Sequence, residues 1–184
     1  MTPYLMTYII MMIIYRVLEI TVMKGIKSRL MGNRSKDPTY LLVVIPFILA
    51  IITPPLEYVL INHQPAPTSF FSGLGLFIVA TLFRIKGLTD LKGGFSPYIE
   101  KQENHTLITN GVYSLVRHPL YLSMLLLVIG AAIMLSAVWA WVFIVAVAGG
   151  VLIRIREEEK FLLEQFPEYR AYCKKTWRLV PGIY

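Results

Sequence analysis

The sequence predicts an all-α integral membrane protein with about five transmembrane helices, and three observations carry that prediction. Hydrophobic residues make up 56% of the 184 residues and charged residues only 16%, against about 25% in a typical soluble domain. The stretch 119–153 carries no charge at all. Of the 18 Lys and Arg residues, all but Arg16 fall on one side of a five-span chain. This pattern excludes a soluble domain and, because disorder needs low hydrophobicity, a disordered chain.

Three apolar runs in the N-terminal half predict the first three spans. A helix needs about 20 residues to cross a bilayer core of about 30 Å. Residues 4–23 and 41–61 meet that length, and a double proline in the second run predicts a kink. Residues 70–83 are apolar before Arg84 and Lys86, so the third helix spans only if its basic end snorkels to the interface.

The uncharged stretch 119–153 is too long for one helix and predicts a C-terminal hairpin of two short helices, with its turn near Ser136. Pro119 suits the first position of the first helix, because its missing N–H would have no helical partner there. Small residues on both helices would let the two approach each other closely. These residues are Gly130, Ala131, Ala132, Ala146, Ala148, Gly149 and Gly150.

The placement of the basic residues predicts the topology. They follow the first span, precede the hairpin and fill the C-terminal tail, whereas the other two loops hold none. Cytoplasmic loops carry the Lys and Arg excess, so we expect the N-terminus outside and the C-terminus inside. The membrane would be the cell membrane in a prokaryote or the endoplasmic reticulum in a eukaryote.

A single domain, residues 1–184, divides on this topology into four sections. They are three spans in 1–91, a cytoplasmic segment 92–118, the hairpin 119–153 and a cytoplasmic tail 154–184. The net charge of +7 then faces anionic membrane lipids and is not a footprint for nucleic acid. Apolar residues along the tail predict a helix lying at the interface and an anchored end.

Polar residues at the two ends of the hairpin predict where chemistry occurs. Because an antiparallel hairpin returns its exit beside its entrance, Arg117 and His118 should meet Arg154 and Glu158 at the cytoplasmic side. We call this place the mouth and define it by residues 117–121 and 154–159. The free N–H groups at the first turn after Pro119 can hold an anion. Taken alone, Arg-His-Pro is more typical of a capped helix, and the Arg154/Glu158 spacing of a surface ion pair.

Other polar groups carry weaker signals. Three successive glutamates, 157–159, are unusual beside an anionic leaflet and suggest a cationic ligand group, although a solvated helix face is the simpler explanation. Arg16 and Glu19, three residues apart in the first span, would neutralise each other. Glu57 would reach the outer interface. No Cys/His cluster has metal-ligand spacing, and no glycine-rich nucleotide motif follows a strand.

Several blocks, in order and spacing, resemble the isoprenylcysteine carboxyl methyltransferase family over roughly residues 94–181. They are 105–113, 117–121, 154–159 and the tail residues Leu162, Phe166, Tyr169 and Tyr172. The resemblance implies S-adenosyl-L-methionine as methyl donor and a prenylated cysteine carboxylate, entering from the bilayer, as acceptor. It also implies Arg154 as the residue facing the acceptor. The implied cofactor positions are Glu100, His105, Thr106, Leu107, Ile108, Tyr113, His118, Pro119, Leu120, Tyr121 and Glu158.

The residues fit that chemistry, and three alternatives stay open. Glu158 can pair an ammonium group, and a carboxylate acceptor is already ionised at neutral pH, so it needs orientation by Arg154 and no base. A phospholipid N-methyltransferase shares the motifs, but its amine acceptor would need a base such as His118. A membrane sterol-type reductase using NADPH would need a basic cluster that the sequence lacks. A non-enzymatic packing or transport subunit fits poorly, because the ionisable groups gather at one mouth and not at mid-membrane.

Overall fold

The computed structural model describes residues 2–25, 39–61, 64–91 and 107–184. Every regular element among these residues is helical, which confirms the all-α fold class. The described residues form α1 (Pro3–Gly25), α2 (Thr39–Ile61), α3 (Pro67–Asp90), α4 (Pro119–Met134), α5 (Ala140–Gln165) and α6 (Tyr169–Cys173). A short 3-10 turn, Gly111–Ser114, precedes α4.

Among the described residues, α1, α2 and α3 are long and apolar enough to cross a membrane. The third therefore extends beyond the apolar run that predicted it and includes Arg84 and Asp90. Three prolines lie inside α2, which continues through them as one helix. The two hairpin helices are different: α4 has only 16 residues, and α5 becomes charged from Arg154 onward. Five spans and a cytoplasmic mouth thus stay predictions.

An ion cluster joins the first and third helices. Glu19 is 4% exposed and pairs with Arg16 one turn before it, as predicted. Arg84 of α3 supplies a second cation, with its Nη2 atom 2.8 Å from Glu19 Oε1. A carboxylate this buried is stabilised only when its charge is compensated, so Glu19 holds α1 beside the basic end of α3.

The hairpin forms as predicted, but its small residues serve other contacts. Its turn contains Ser136, which adopts a positive φ of 53°. α4 packs chiefly against α3, and α5 chiefly against α2. A Cβ added to Gly130 would lie 2.9 Å from the backbone N of Phe77 on α3, and one added to Gly150 would lie 2.7 Å from the carbonyl oxygen of Leu42 on α2. The glycines therefore allow α3 and α2 to approach the hairpin closely, and they do not chiefly serve the contact between α4 and α5.

Glu57 closes the hairpin turn. Its carboxylate accepts hydrogen bonds from the backbone N–H groups of Val138, at 2.9 and 3.0 Å, and of Trp139, at 3.0 Å. These donors lie at the start of α5, where no helical acceptor is available to them. A side chain of α2 thus caps α5 at the end of the bundle opposite the mouth.

The C-terminal tail folds against the mouth. α5 runs without interruption to Gln165, and the short helix α6 follows after a turn. Tyr169, Tyr172 and Leu179 are buried. Trp177 forms an isolated parallel β-bridge with Val116, so the last residues of the chain wall one side of the predicted site.

Candidate active site

The segment before the mouth is fixed to the end of α3. Gly111 adopts a positive φ of 62°, and a Cβ there would lie 2.0 Å from Oδ2 of Asp90. That same oxygen accepts a hydrogen bond from the N–H of Val112 at 2.9 Å. The turn thereby buries Tyr113, whose carbonyl accepts a hydrogen bond of 2.6 Å from the Tyr172 hydroxyl. Burial raises the pKa of Tyr113, so its phenol stays protonated.

The Arg-His-Pro motif is held through its backbone by the tail. The N–H of Arg117 donates to the carbonyl of Trp177 at 2.8 Å, and the N–H of His118 to the carbonyl of Arg178 at 3.1 Å. His118 has φ −123° and ψ 58°, outside the helical region, and Pro119 begins α4. The predicted non-helical His118 and N-terminal proline are both confirmed. Leu120 and Tyr121 lie in the first turn of α4, where backbone N–H groups have no preceding helical turn to accept their hydrogen bonds.

The predicted convergence of the two ends of the hairpin is confirmed, with one correction in the partner. His118 Nδ1 lies 3.9 Å from Glu158 Oε2, but the strongest contacts are made by Glu159. Arg117 Nε and Arg178 Nε each donate to its carboxylate at 2.8 Å, and His118 Nε2 lies 3.4 Å away. Burial alone would raise the pKa of Glu159, but its contacts with His118 and Arg117 lower it to about 2.

Arg154 is buried at 4% exposure and is reached by a residue of each neighbouring helix. Its Nε donates to the Tyr121 hydroxyl at 3.0 Å, and its Nη1 to Thr39 Oγ1 on α2 at 3.3 Å. Glu158, one turn further along α5, lies against His118, the residue that precedes α4. The two charged residues therefore contact different residues at the start of α4.

The structure brings together seven of the predicted site residues at or beside the mouth. They are Tyr113, His118, Pro119, Leu120, Tyr121, Arg154 and Glu158. Leu107 and Ile108 are half-buried ahead of the 3-10 turn, whereas Glu100, His105 and Thr106 lie outside the described residues. Sequence reasoning missed Asp90, Glu159 and Arg178. A buried arginine needs a carboxylate to compensate its charge. A carboxylate near Arg117 could therefore have been expected, and Glu159 supplies it.

The buried imidazole of His118 lies between two carboxylates, with Nδ1 3.9 Å from Glu158 and Nε2 3.4 Å from Glu159. Glu158 is 34% exposed and accessible to a cation, while the start of α4 suits an anion. No group of His, Cys, Asp or Glu among the described residues could hold a metal ion.

Comparison with known proteins gives the following matches. The model of the isoprenylcysteine carboxyl methyltransferase (ICMT) family matches residues 73–164. A probable protein-S-isoprenylcysteine O-methyltransferase of Oryza sativa subsp. indica is 30% identical over 161 residues, covering 83% of this chain and 84% of that protein. The cobalt-zinc-cadmium resistance protein CzcN of Cupriavidus metallidurans is 38% identical over 88 residues, 47% of this chain and 40% of that protein.

A solved structure of a eukaryotic intramembrane Ras methyltransferase ICMT superposes with a TM-score of 0.72 at 21% identity. The match covers 100% of this chain and 69% of that one. At this identity the likeness establishes a shared fold.

Proposed function

Because this chain belongs to the isoprenylcysteine carboxyl methyltransferase family, we propose that it methyl-esterifies the carboxylate of a prenylated cysteine, or of a similar lipophilic acceptor, using S-adenosyl-L-methionine. One observation carries the proposal. A buried arginine and an accessible carboxylate, Arg154 and Glu158, lie one turn apart on α5 and contact Tyr121 and His118, respectively, at the start of α4. These groups have opposite charges and suit two different molecules held side by side.

The donor side of the mouth is formed by Glu158, His118 and the first turn of α4. S-adenosyl-L-methionine supplies, when bound, an electrophilic methyl group together with an ammonium and a carboxylate. Glu158 would pair the ammonium, and the N–H groups of Leu120 and Tyr121 would hold the carboxylate. His118, whose Nδ1 lies 3.9 Å from Glu158, would add a polar group beside the ammonium. We assign Tyr113 and Pro119 to the walls of this site. The family resemblance adds five further donor-binding residues, Glu100, His105, Thr106, Leu107 and Ile108.

The acceptor side is formed by Arg154. A carboxylate is already ionised at neutral pH, so no group on this chain has to remove a proton from it. The task is to orient the carboxylate oxygen, and a guanidinium does this in a plane with a fixed fork of donors. Arg154 contacts Thr39 at the first turn of α2, so its guanidinium lies at the junction of α2, α4 and α5. A prenyl tail would reach this junction from the bilayer, between helices whose outer faces are apolar.

Positioning is the main catalytic contribution of the chain. In-line displacement at a methyl group requires the reacting atoms to be aligned, and here the two binding groups share one rigid helix. His118 and Arg154 are each 4% exposed, so the mouth excludes most water and strengthens electrostatic contacts within it. We place this mouth on the cytoplasmic side, where the basic residues would contact anionic lipids.

The chemistry of the product tests this proposal. Purified protein in lipid nanodiscs is incubated with methyl-labelled S-adenosyl-L-methionine and either a farnesyl-cysteine analogue or phosphatidylethanolamine. The expected product is an alkali-labile label on the farnesyl-cysteine analogue, because methyl esters hydrolyse in base and N-methyl groups do not. An alkali-stable label on phosphatidylethanolamine would replace the proposal with lipid N-methylation. No label on either acceptor, with no binding of the donor, would refute methyl transfer.

A further inference from the structure

A groove of about 350 Å³ runs along the charged end of α5 beside the mouth. Its lining combines three basic residues, two carboxylates and one leucine, namely Arg156, Lys160, Arg178, Glu159, Glu164 and Leu163. The proposed methyl transfer gives none of the three basic side chains a ligand. The placement of these charges therefore needs a separate explanation.

Two of the cations stand together on α5 without a counter-charge. Arg156 and Lys160 are both exposed and lie four residues apart, a spacing at which like charges destabilise a helix. Among the described residues neither side chain forms a hydrogen bond or an ion pair, although Glu164 follows Lys160 at a spacing that permits one. A pair of exposed cations on one helix face fits an anionic ligand.

The third cation, Arg178, reaches the groove from the C-terminal tail and is held in place. Its Nε donates to Glu159 at 2.8 Å and its Nη1 to the Tyr184 hydroxyl at 3.0 Å. Its side chain is nevertheless 39% exposed, and its Nη2 has no hydrogen bond to a described residue. Because Glu159 also pairs with the buried Arg117, these three residues together carry a surplus positive charge. A donor that is already fixed loses little conformational entropy when an anion binds.

The exposed face of α5 changes from apolar to basic at this groove. Val142, Val145 and Ile153 are exposed on that face, and Arg156 and Lys160 continue it. At a rise of 1.5 Å per residue, the two cations lie about 4.5 and about 10.5 Å along the helix axis beyond Ile153. The polar headgroup region extends about 5–8 Å beyond the hydrocarbon core on each side of a bilayer. In the predicted topology, the groove therefore lies at the depth of lipid phosphates.

Two apolar side chains beside the cations favour a lipid over a soluble anion. Leu163 lines the groove and is 41% exposed, and Trp177, which precedes Arg178 in the tail, is 47% exposed. Tryptophan is enriched at membrane–water interfaces, where its ring lies at the level of the headgroups. The glycerol backbone of a lipid would cover such side chains, whereas a free phosphate would leave them in water.

We propose that this groove is a discrete binding site for the phosphate headgroup of one anionic phospholipid, contacted by Arg156, Lys160 and Arg178. The site lies beside the mouth and is separate from its donor and acceptor sides. It differs from the general attraction of basic residues to an anionic leaflet, to which each Lys and Arg near the surface contributes. A discrete site instead saturates with one lipid and depends on these three residues.

The test counts the anionic lipids bound to the protein. The protein is reconstituted in phosphatidylcholine nanodiscs that contain increasing fractions of phosphatidylglycerol, and native mass spectrometry records the phosphatidylglycerol molecules retained. No methyl donor or acceptor is present, so the result does not depend on the proposed function. We expect one retained molecule at saturation. Arg156→Gln combined with Lys160→Gln should raise the fraction needed for half occupancy about thirtyfold, the change expected from two basic contacts at an anionic surface.

Matched controls separate a discrete site from general charge. Lys174→Gln combined with Lys175→Gln removes two exposed cations of the tail that do not line the groove, and it should leave half occupancy unchanged. Glu164→Gln removes a negative charge from the lining and should tighten binding, whereas Glu168→Gln, at an exposed position outside the groove, should not. All these positions are exposed, so the substitutions should have little effect on folding.

Three outcomes would overturn the inference. The first is an equal loss of phosphatidylglycerol from the two double variants, which is the result expected for diffuse attraction. The second is equal retention of phosphatidylglycerol and phosphatidylcholine by the wild type. The third is displacement of the lipid by an excess of inorganic phosphate, which would make the groove a site for soluble anions.

Discussion

Replacing Glu159 with glutamine should destabilise the protein far more than replacing an exposed glutamate of α5. The carboxylate of Glu159 accepts hydrogen bonds of 2.8 Å from both Arg117 and Arg178. The side chain of Arg117 is 8% exposed and that of Arg178 is 39% exposed, so solvent screens the second pair and the first carries most of the energy. Removing one partner of a buried pair costs about 3–5 kcal/mol, and we expect about 3 kcal/mol for Glu159→Gln.

Thermal unfolding of the nanodisc-embedded protein measures this effect. For a chain of this length about 3 kcal/mol corresponds to a fall in Tm of about 6–12 °C. Glu164→Gln is the matched control, since Glu164 lies on the same helix but is exposed, and its Tm should shift by less than about 2 °C. Equal Tm values for the two variants would refute the conclusion that Glu159 compensates a buried charge.

The same residue predicts an acid dependence. Its pKa is about 2 in the folded protein, against an ordinary value of 4.5. A carboxyl group whose pKa falls on folding stabilises the fold above its ordinary pKa, and this contribution is lost as the pH drops through the folded value. The Tm of the wild type should therefore decrease between pH 4.5 and pH 2, and Glu159→Gln should lack that part of the decrease. A parallel decrease in both proteins would contradict the assignment.

Three further predictions concern the frame of the site. Gly111→Ala places a Cβ at a positive φ against Asp90 and should lower the Tm by several degrees, as well as weaken donor binding; an unchanged Tm would contradict the described turn. Glu57→Gln should destabilise the hairpin by about 1–2 kcal/mol, with donor affinity in the folded protein unchanged, and a loss of donor affinity would show that the cap acts at the mouth. In a cysteine-free background, Val138→Cys should react with an impermeant thiol reagent from outside intact cells and Lys174→Cys only after lysis; the reverse pattern would invert the topology.

The parts of the fold that were predictable from sequence depend on local chemistry. Proline at the start of α4 and the turn containing Ser136 follow from backbone rules that need no knowledge of neighbours. The meeting of residues 117–118 with the end of the hairpin follows from chain order alone.

The parts that were missed depend on partners distant in sequence. The run that ended at Phe83 extends to Asp90 because Arg84 is compensated by Glu19 of another helix. Small residues indicate that another helix packs closely, but they do not indicate which one. In the structure Gly130 packs against α3 and Gly150 against α2.

The site shows the same division. Successive residues on a helix point about 100° apart, so Glu158 and Glu159 have different surroundings. Glu158 is one-third exposed, whereas Glu159 is buried against His118. Only the packed structure shows which of the two is buried. Likewise, the burial of Tyr169 and Tyr172 depends on the tail returning to residues 115–118, a contact that no periodicity in the tail indicates.

Calorimetric titration of the methyl donor into the wild type, Glu158→Ala and Arg154→Ala tests most directly the claim that one mouth holds two molecules one helical turn apart. We expect Glu158→Ala to weaken donor binding by about a hundredfold, the order for losing one partner of a hydrogen-bonded charge pair. Arg154→Ala should bind the donor nearly as well as wild type and yet form no ester in the labelling assay. Arg156→Ala changes an exposed neighbour, so this variant should bind the donor and form the ester like wild type. Donor binding that survives Glu158→Ala, or full turnover by Arg154→Ala, would contradict this division of the mouth.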